Sequence, residues 1–179
     1  MAPPQLQRFQ TLKTLYDKLE EEDALVKKAL IPFVDEKELR DRESLSNGPK
    51  GVTFSAMYNN KRYAVKQFDL IKDFKWYQRE LLGYAFLHDV WGEYVPKLEF
   101  IAVSTTGMVR FLGMALGEEA LSEERAKDIP KILGKLEREY GFRLYRSDAI
   151  VVNGKPLVTD LGNWEEIKEE NSDPSSRKK

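Results

Sequence analysis

The chain has 179 residues, enough for one compact domain and few for two. Its 29 basic and 30 acidic residues leave a net charge of −1, so no overall field recruits nucleic acid or a strongly charged partner. Cysteine is absent, which excludes disulfides, thiolate metal sites and a cysteine nucleophile, and suits a reducing compartment.

The opening Met1-Ala2-Pro3-Pro4 is not followed by the unbroken apolar stretch of a signal peptide. No apolar run approaches the roughly 20 residues that span a bilayer. The expectation is a cytoplasmic or nuclear protein with no membrane and no nucleic acid among its partners.

Leu6, Phe9, Leu12, Tyr16 and Leu19 recur at spacings of three and four, which predicts an amphipathic helix within residues 4–31, with a polar break at Glu20–Asp23. Residues 35–47 are charged and turn-rich, so residues 1–44 read as a helical extension. Val52–Tyr58 and Lys61–Phe68 read as strands joined by Asn59-Asn60, because asparagine tolerates the positive φ of a two-residue hairpin turn. Residues 74–88 form a helix directing Leu81, Leu82, Ala85 and Phe86 to a core, and Lys97–Ser104 and Met108–Ala115 pair around Thr105-Thr106-Gly107. Residues 45–117 thus make one unit, and 118–164 a smaller second one. In the latter, a helix over 122–140 is capped by Ser122 and stopped by Gly141, and Pro130 kinks it or marks its true start. Ala149–Val152 and Lys155–Thr159 form a hairpin on Asn153-Gly154. Residues 165–179 read as a charged, partly disordered tail. The fold class is α+β.

Counting back from Asn59-Asn60, Tyr58 faces Lys61, Ser55 faces Ala64 and Thr53 faces Lys66. Lys66 therefore lies beside the strand start that follows Gly48-Pro49-Lys50-Gly51. It is either an exposed strand lysine or an inward one, and an inward one needs an anionic partner, for which Glu80 on the next helix is suited. In the last hairpin Val152 faces Lys155 and Asp148 faces Thr159, so Asp148 and Asp160 share one open end. They either cap strand ends in solvent or hold a cation between them, and oxygen ligands of this kind suit Mg²⁺.

Taken together, these residues resemble the ordered motifs of the protein-kinase fold over roughly residues 45–164. Tyr63-Ala64-Val65-Lys66 looks like the Val-Ala-Ile-Lys strand, Glu80 like the helix glutamate that pairs with its lysine, and Asp160-Leu161-Gly162 like Asp-Phe-Gly. Met108–Leu116 resembles the strand leading into the adenine-binding hinge, and Asp148 takes the place of the catalytic-loop asparagine. Small kinase-like proteins of fungal type have a similar layout. The resemblance implies an antiparallel N-lobe sheet with its C-helix and a reduced C-lobe. It also implies ATP held by Gly48, Gly51, Val52, Ala64, Lys66, Glu80, Ala115 and Leu116, and Mg²⁺ held by Asp148 and Asp160.

The departures carry as much information. Arg143 stands where the family's catalytic aspartate would be, and an arginine accepts no proton at neutral pH. Pro49 removes one backbone N–H from the glycine turn. Only residues 163–179 follow Gly162, leaving no sequence here for an activation segment or a large helical lobe. The expectation is a pseudokinase that acts by binding nucleotide or a partner, with a protein partner or self-association covering the reduced lobe. The alternatives are an atypical ATP-dependent phosphotransferase using Lys66, Glu80, Asp148 and Asp160, and a nucleotide-free interaction protein. His88 reads as a surface or capping residue, and Trp76, Trp91 and Trp164 as packing anchors.

Overall fold

A computed structural model describes Glu22, Ala24, Val26, Lys27 and residues 30–48, 51–117, 123–140, 142–144, 148–159, 161–162 and 164–166. The architecture is α+β. A mostly antiparallel six-stranded sheet carries a long helix on one face, and a 3₁₀ turn, two shorter helices and two two-stranded ribbons are also described. The strands are β1 (Phe33–Asp35), β2 (Arg40–Gly48), β3 (Gly51–Tyr58), β4 (Lys61–Asp69), β5 (Leu98–Val103) and β6 (Val109–Ala115). They lie in the order β1-β5-β6-β4-β3-β2, with β1 alone paired in parallel.

Asn59 and Asn60 fix the centre of this sheet. With φ of 47° and 60° they form the turn that the sequence demands, and β3 and β4 pair as counted, with Tyr58 opposite Lys61 and Thr53 opposite Lys66. Strand alternation then divides the side chains of β4. Ala64 and Phe68 join the core beneath the long helix, while Tyr63 and Val65 join a second core on the opposite face. The second core contains Leu39, Phe54, Phe100 and Phe111, and the Arg42 guanidinium lies over the Phe54 and Phe111 rings, 5.3 and 5.5 Å from their centroids.

Helix α1 (Leu70–Trp91) starts earlier than the apolar pattern indicates because Asp69 caps it, its carboxylate accepting from the Ile71 N–H at 3.0 Å. Tyr77, Leu81 and Tyr84 recur at helical spacing and are buried against the sheet with Phe68 and Leu112. His88 and Trp91 lie within α1, and their side chains fall outside the described ones.

The structure corrects the reading of residues 33–48. This stretch supplies β1 and β2, not a helical extension and a turn-rich linker. Both strands lie at the edges of the sheet, where side chains stay exposed and charged or serine residues are tolerated, so no apolar alternation marks them. Register shifts between Arg40 and Glu43 and between Ser44 and Ser46 blur β2 further. Most of the expected helix within 4–31 lies outside the described residues. Glu22, Ala24, Val26 and Lys27 are helical, and Val26 and Ile31 belong to the main core.

The expected helix over 122–140 divides into α2 (Glu123–Ala126) and α3 (Ile129–Tyr140), with Pro130 in the first turn of α3, where a missing N–H costs nothing. Ser122 and Gly141 lie outside the described residues. Strands β8 (Asp148–Val152) and β9 (Lys155–Thr159) form the expected hairpin, with Asn153 and Gly154 at φ 51° and 74°. Strands β7 (Phe142–Leu144) and β10 (Trp164–Glu166) pair as a second ribbon. Three-residue strands are too short to leave a period, so β10 is hidden at the start of the stretch read as a tail. Residues 167–179 lie outside the described residues. Among the described residues no helix is long and apolar enough to cross a membrane.

Candidate functional site

Lys66 sits on the α1 side of β4, between Ala64 and Phe68. A cation there is surrounded by apolar groups and is stable only when paired. Glu80 supplies the charge. It lies one turn beyond Tyr77 on α1, and both of its carboxylate oxygens accept from the lysine Nζ, at 2.9 and 2.7 Å. The two side chains are 13% and 3% exposed, so the pair is screened little by water. The Phe68 ring, 5.5 Å from Nζ, further fixes the amine.

Thr53 is the β3 residue directly opposite Lys66 and shares its face. Val52 pairs with Gln67, one position out of phase, which assigns it to the other face of the sheet from Lys66. The expectation grouped Val52 with Lys66; strand parity separates them and puts Thr53 in that place. Gly48 pairs with Gly51 across the β2–β3 connection, whose Pro49 and Lys50 lie outside the described residues.

A second stripe of α1, holding Trp76, Arg79, Glu80 and Gly83, meets the turn after β9. Arg79 Nε donates to the Gly162 carbonyl at 2.9 Å. A Cβ added at Gly83 would meet the Leu161 Cβ at 2.9 Å, and one added at Gly162 would lie 3.6 Å from Glu80 Oε2 and 3.9 Å from the Trp76 ring. Leu161 is fully buried. The helix that presents Glu80 to Lys66 therefore also seats Leu161 and Gly162 beside that pair. Asp160 itself lies outside the described residues. Asp148 opens β8 opposite Thr159, as counted, and its side chain falls outside the described ones.

The ribbon β8–β9 is fastened at two further points. Val158 N–H donates to the Tyr94 carbonyl at 2.7 Å, and a Cβ at Gly117 would meet the Ile150 Cβ at 3.0 Å. Ala115 ends β6 opposite Tyr63, and half-buried Leu116 leads directly into Gly117. The segment expected to act as hinge thus runs into the contact between sheet and ribbon. Arg143 is an exposed residue of β7 whose register partner on β10 is Glu165.

Lys66 suits an anion: a positioned ammonium with three donors can hold phosphate oxygens. Among the described residues no three His, Asp or Glu side chains gather to hold a metal. Two features escaped the sequence reading: half-buried Arg79, and a buried Glu22–Tyr77–Arg110 cluster. Arg110 interrupts the apolar strand Val109–Ala115 just as Lys66 interrupts its own, and Glu22 continues the stripe from Tyr16 and Leu19 to Val26, so both carried a signal. No family model matches the sequence, and no curated protein matches it.

Proposed function

We propose that this chain is a kinase-like nucleotide-binding protein without a catalytic base, a pseudokinase that works by binding nucleotide or a partner. The observation that carries the reading is the Lys66–Glu80 pair, a strand lysine clasped by a helix glutamate at 2.7 Å. Its setting is consistent with a kinase-like N-lobe: an antiparallel sheet with a single long helix inserted between β4 and β5 and laid on its face. In this reading Lys66 holds phosphate oxygens, Glu80 keeps the ammonium aimed, and Thr53 and Ala64 share its face. Ala115 and Leu116 offer backbone groups to the base, and Gly48 and Gly51 let the chain approach the phosphates. Asp148 and Asp160 would hold Mg²⁺, which supplies charge neutralisation between phosphate oxygens. Arg143 accepts no proton, so a substrate hydroxyl would have no base at that position.

An ATP–Mg²⁺ melting series tests this. Ligand at 100-fold over Kd adds about 2.7 kcal/mol to stability. Wild type is expected to shift, and Lys66→Ala and Asp160→Ala are not; an unshifted wild type overturns the reading. Transfer of labelled γ-phosphate to any acceptor, the protein included, would replace it with the active-phosphotransferase alternative.

A further inference from the structure

Besides the Lys66–Glu80 pair, a second side-chain attachment joins α1 to the same face of the sheet. The second lies one turn earlier on the helix. The Tyr77 hydroxyl donates to Glu22 Oε1, and Arg110 Nε of β6 donates to the same oxygen at 3.2 Å. All three residues are buried, at 1%, 6% and 7% exposure. The remaining donors of Arg110 include one to the Gly107 carbonyl at 2.6 Å. Glu22 comes from the N-terminal segment, remote in sequence from both, and its Oε2 has no hydrogen-bond partner among the described residues.

A carboxylate buried with one oxygen unpartnered is costly, so the cluster adds less to stability than an apolar filling would. Its geometric effect is larger. Glu22 is the only carboxylate among the described residues that bonds Arg110, and without it a buried guanidinium faces the Tyr77 phenol with its charge uncompensated. Relieving that requires α1 and β6 to part at Tyr77. Glu80 is three residues further along α1, on the adjoining stripe, and Leu112, next but one to Arg110 on β6, pairs with Lys66. A separation at Tyr77 is therefore transmitted to the Lys66–Glu80 contact by a single rigid turn of helix.

We propose that Glu22 is a positioning residue: the N-terminal segment, by bridging Tyr77 and Arg110, sets α1 at the height where Glu80 clasps Lys66. Displacement of that segment opens the pair and disables the site. The consequence for nucleotide rests on the function proposed above, whereas the positioning itself does not, and the test separates them.

The rate at which acetyl-N-hydroxysuccinimide modifies Lys66 in the full chain, followed by peptide mass spectrometry, reports whether the amine is clasped. Glu80→Gln sets the rate for an open pair. Val26→Ala, in the same segment and buried in the same core, controls for general loosening. Glu22→Gln is expected to raise Lys66 modification by about fivefold or more, the lower end of coupling between linked sites, towards the Glu80→Gln rate. Val26→Ala is expected to leave it near wild type. An unchanged rate in Glu22→Gln, or an equal rise in Val26→Ala, overturns the proposal. Should Glu22→Gln fail to fold, Tyr77→Phe, which keeps the ring and removes one donor, must raise the rate; no rise overturns it. A rise in Glu22→Gln with no ATP–Mg²⁺ shift in wild type would leave the positioning intact and remove the nucleotide reading alone.

Discussion

Replacing the Lys66–Glu80 pair separates what it does for stability from what it does for binding. At 2.7 Å and an effective permittivity of about 20, two unit charges attract by on the order of 6 kcal/mol. Removing side chains that are 13% and 3% exposed from water offsets most of this, so the intact pair and a well-packed apolar pair are close in stability. Taking away one partner is different. Lys66→Met takes the lysine from the buried Glu80 carboxylate and Glu80→Leu takes the glutamate from the Lys66 ammonium, each at a cost of about 3 kcal/mol or somewhat more. The double variant Lys66→Met/Glu80→Leu removes both charges and is expected within about 1 kcal/mol of wild type.

The four proteins form a double-mutant cycle, measured by urea denaturation with tryptophan fluorescence. Its coupling energy is expected at or above the ~3 kcal/mol that usually bounds contacting residues. All three variants are expected to lose the ATP–Mg²⁺ melting shift, including the stable double variant. If the double variant is destabilised by the sum of the singles, the charges do not act as a pair and the reasoning fails. If it retains the nucleotide shift, the lysine is not the phosphate anchor.

Gly83→Ala should destabilise although alanine is the better helix former. The ~1 kcal/mol propensity gain is outweighed by about 1–3 kcal/mol of overpacking where the new Cβ would lie 2.9 Å from Leu161 Cβ and 3.1 Å from its carbonyl oxygen. A urea midpoint at or above wild type would show that the Leu161–Gly162 turn is not seated on α1. Alkaline titration should expose Tyr77, whose burial first, and the neighbouring Glu22 second, hold its phenol well above the ordinary value of 10.0. The folded state keeps that proton more tightly than the unfolded chain, so the contribution is intact below about pH 10 and falls as pH rises towards the folded value. Tyr77→Phe should therefore be less stable near pH 8 yet lose less between pH 9 and 11. Tyr63, raised by burial and by Glu99, leaves a residual slope; a slope unchanged in Tyr77→Phe would refute the assignment.

The central hairpins were legible because a period of two and an asparagine or glycine turn leave one register open. Shifting either strand by one residue would move Phe54, Tyr63 and Val65 to the wrong face. That register carried Lys66 to Thr53 without any tertiary information. The same parity assigns Val52, which the family resemblance groups with Lys66, to the other face of the sheet. Edge strands β1 and β2 and the ribbon β7–β10 were illegible for a different reason. Their residues are exposed or too few, and burial on one face is what writes a period into sequence.

The long-range partners pose a harder problem, and α1 shows why. Its residues divide into two stripes at helical spacing. Tyr77, Leu81 and Tyr84 meet the sheet core, whereas Trp76, Arg79, Glu80 and Gly83 meet the Leu161–Gly162 turn and Lys66. Periodicity identifies such stripes but cannot name what lies across them, since the partners come from before, after and far beyond the helix. The exception is a charge among apolar neighbours, because burial forces it to find an opposite charge. That rule offers Glu80 as the partner of an inward Lys66, and the structure pairs the two. Applied to Arg110, the same rule leads to Glu22. Both anchors of α1 were therefore written in the sequence as lone cations in apolar strands, and a displacement of α1 at either one must strain the other.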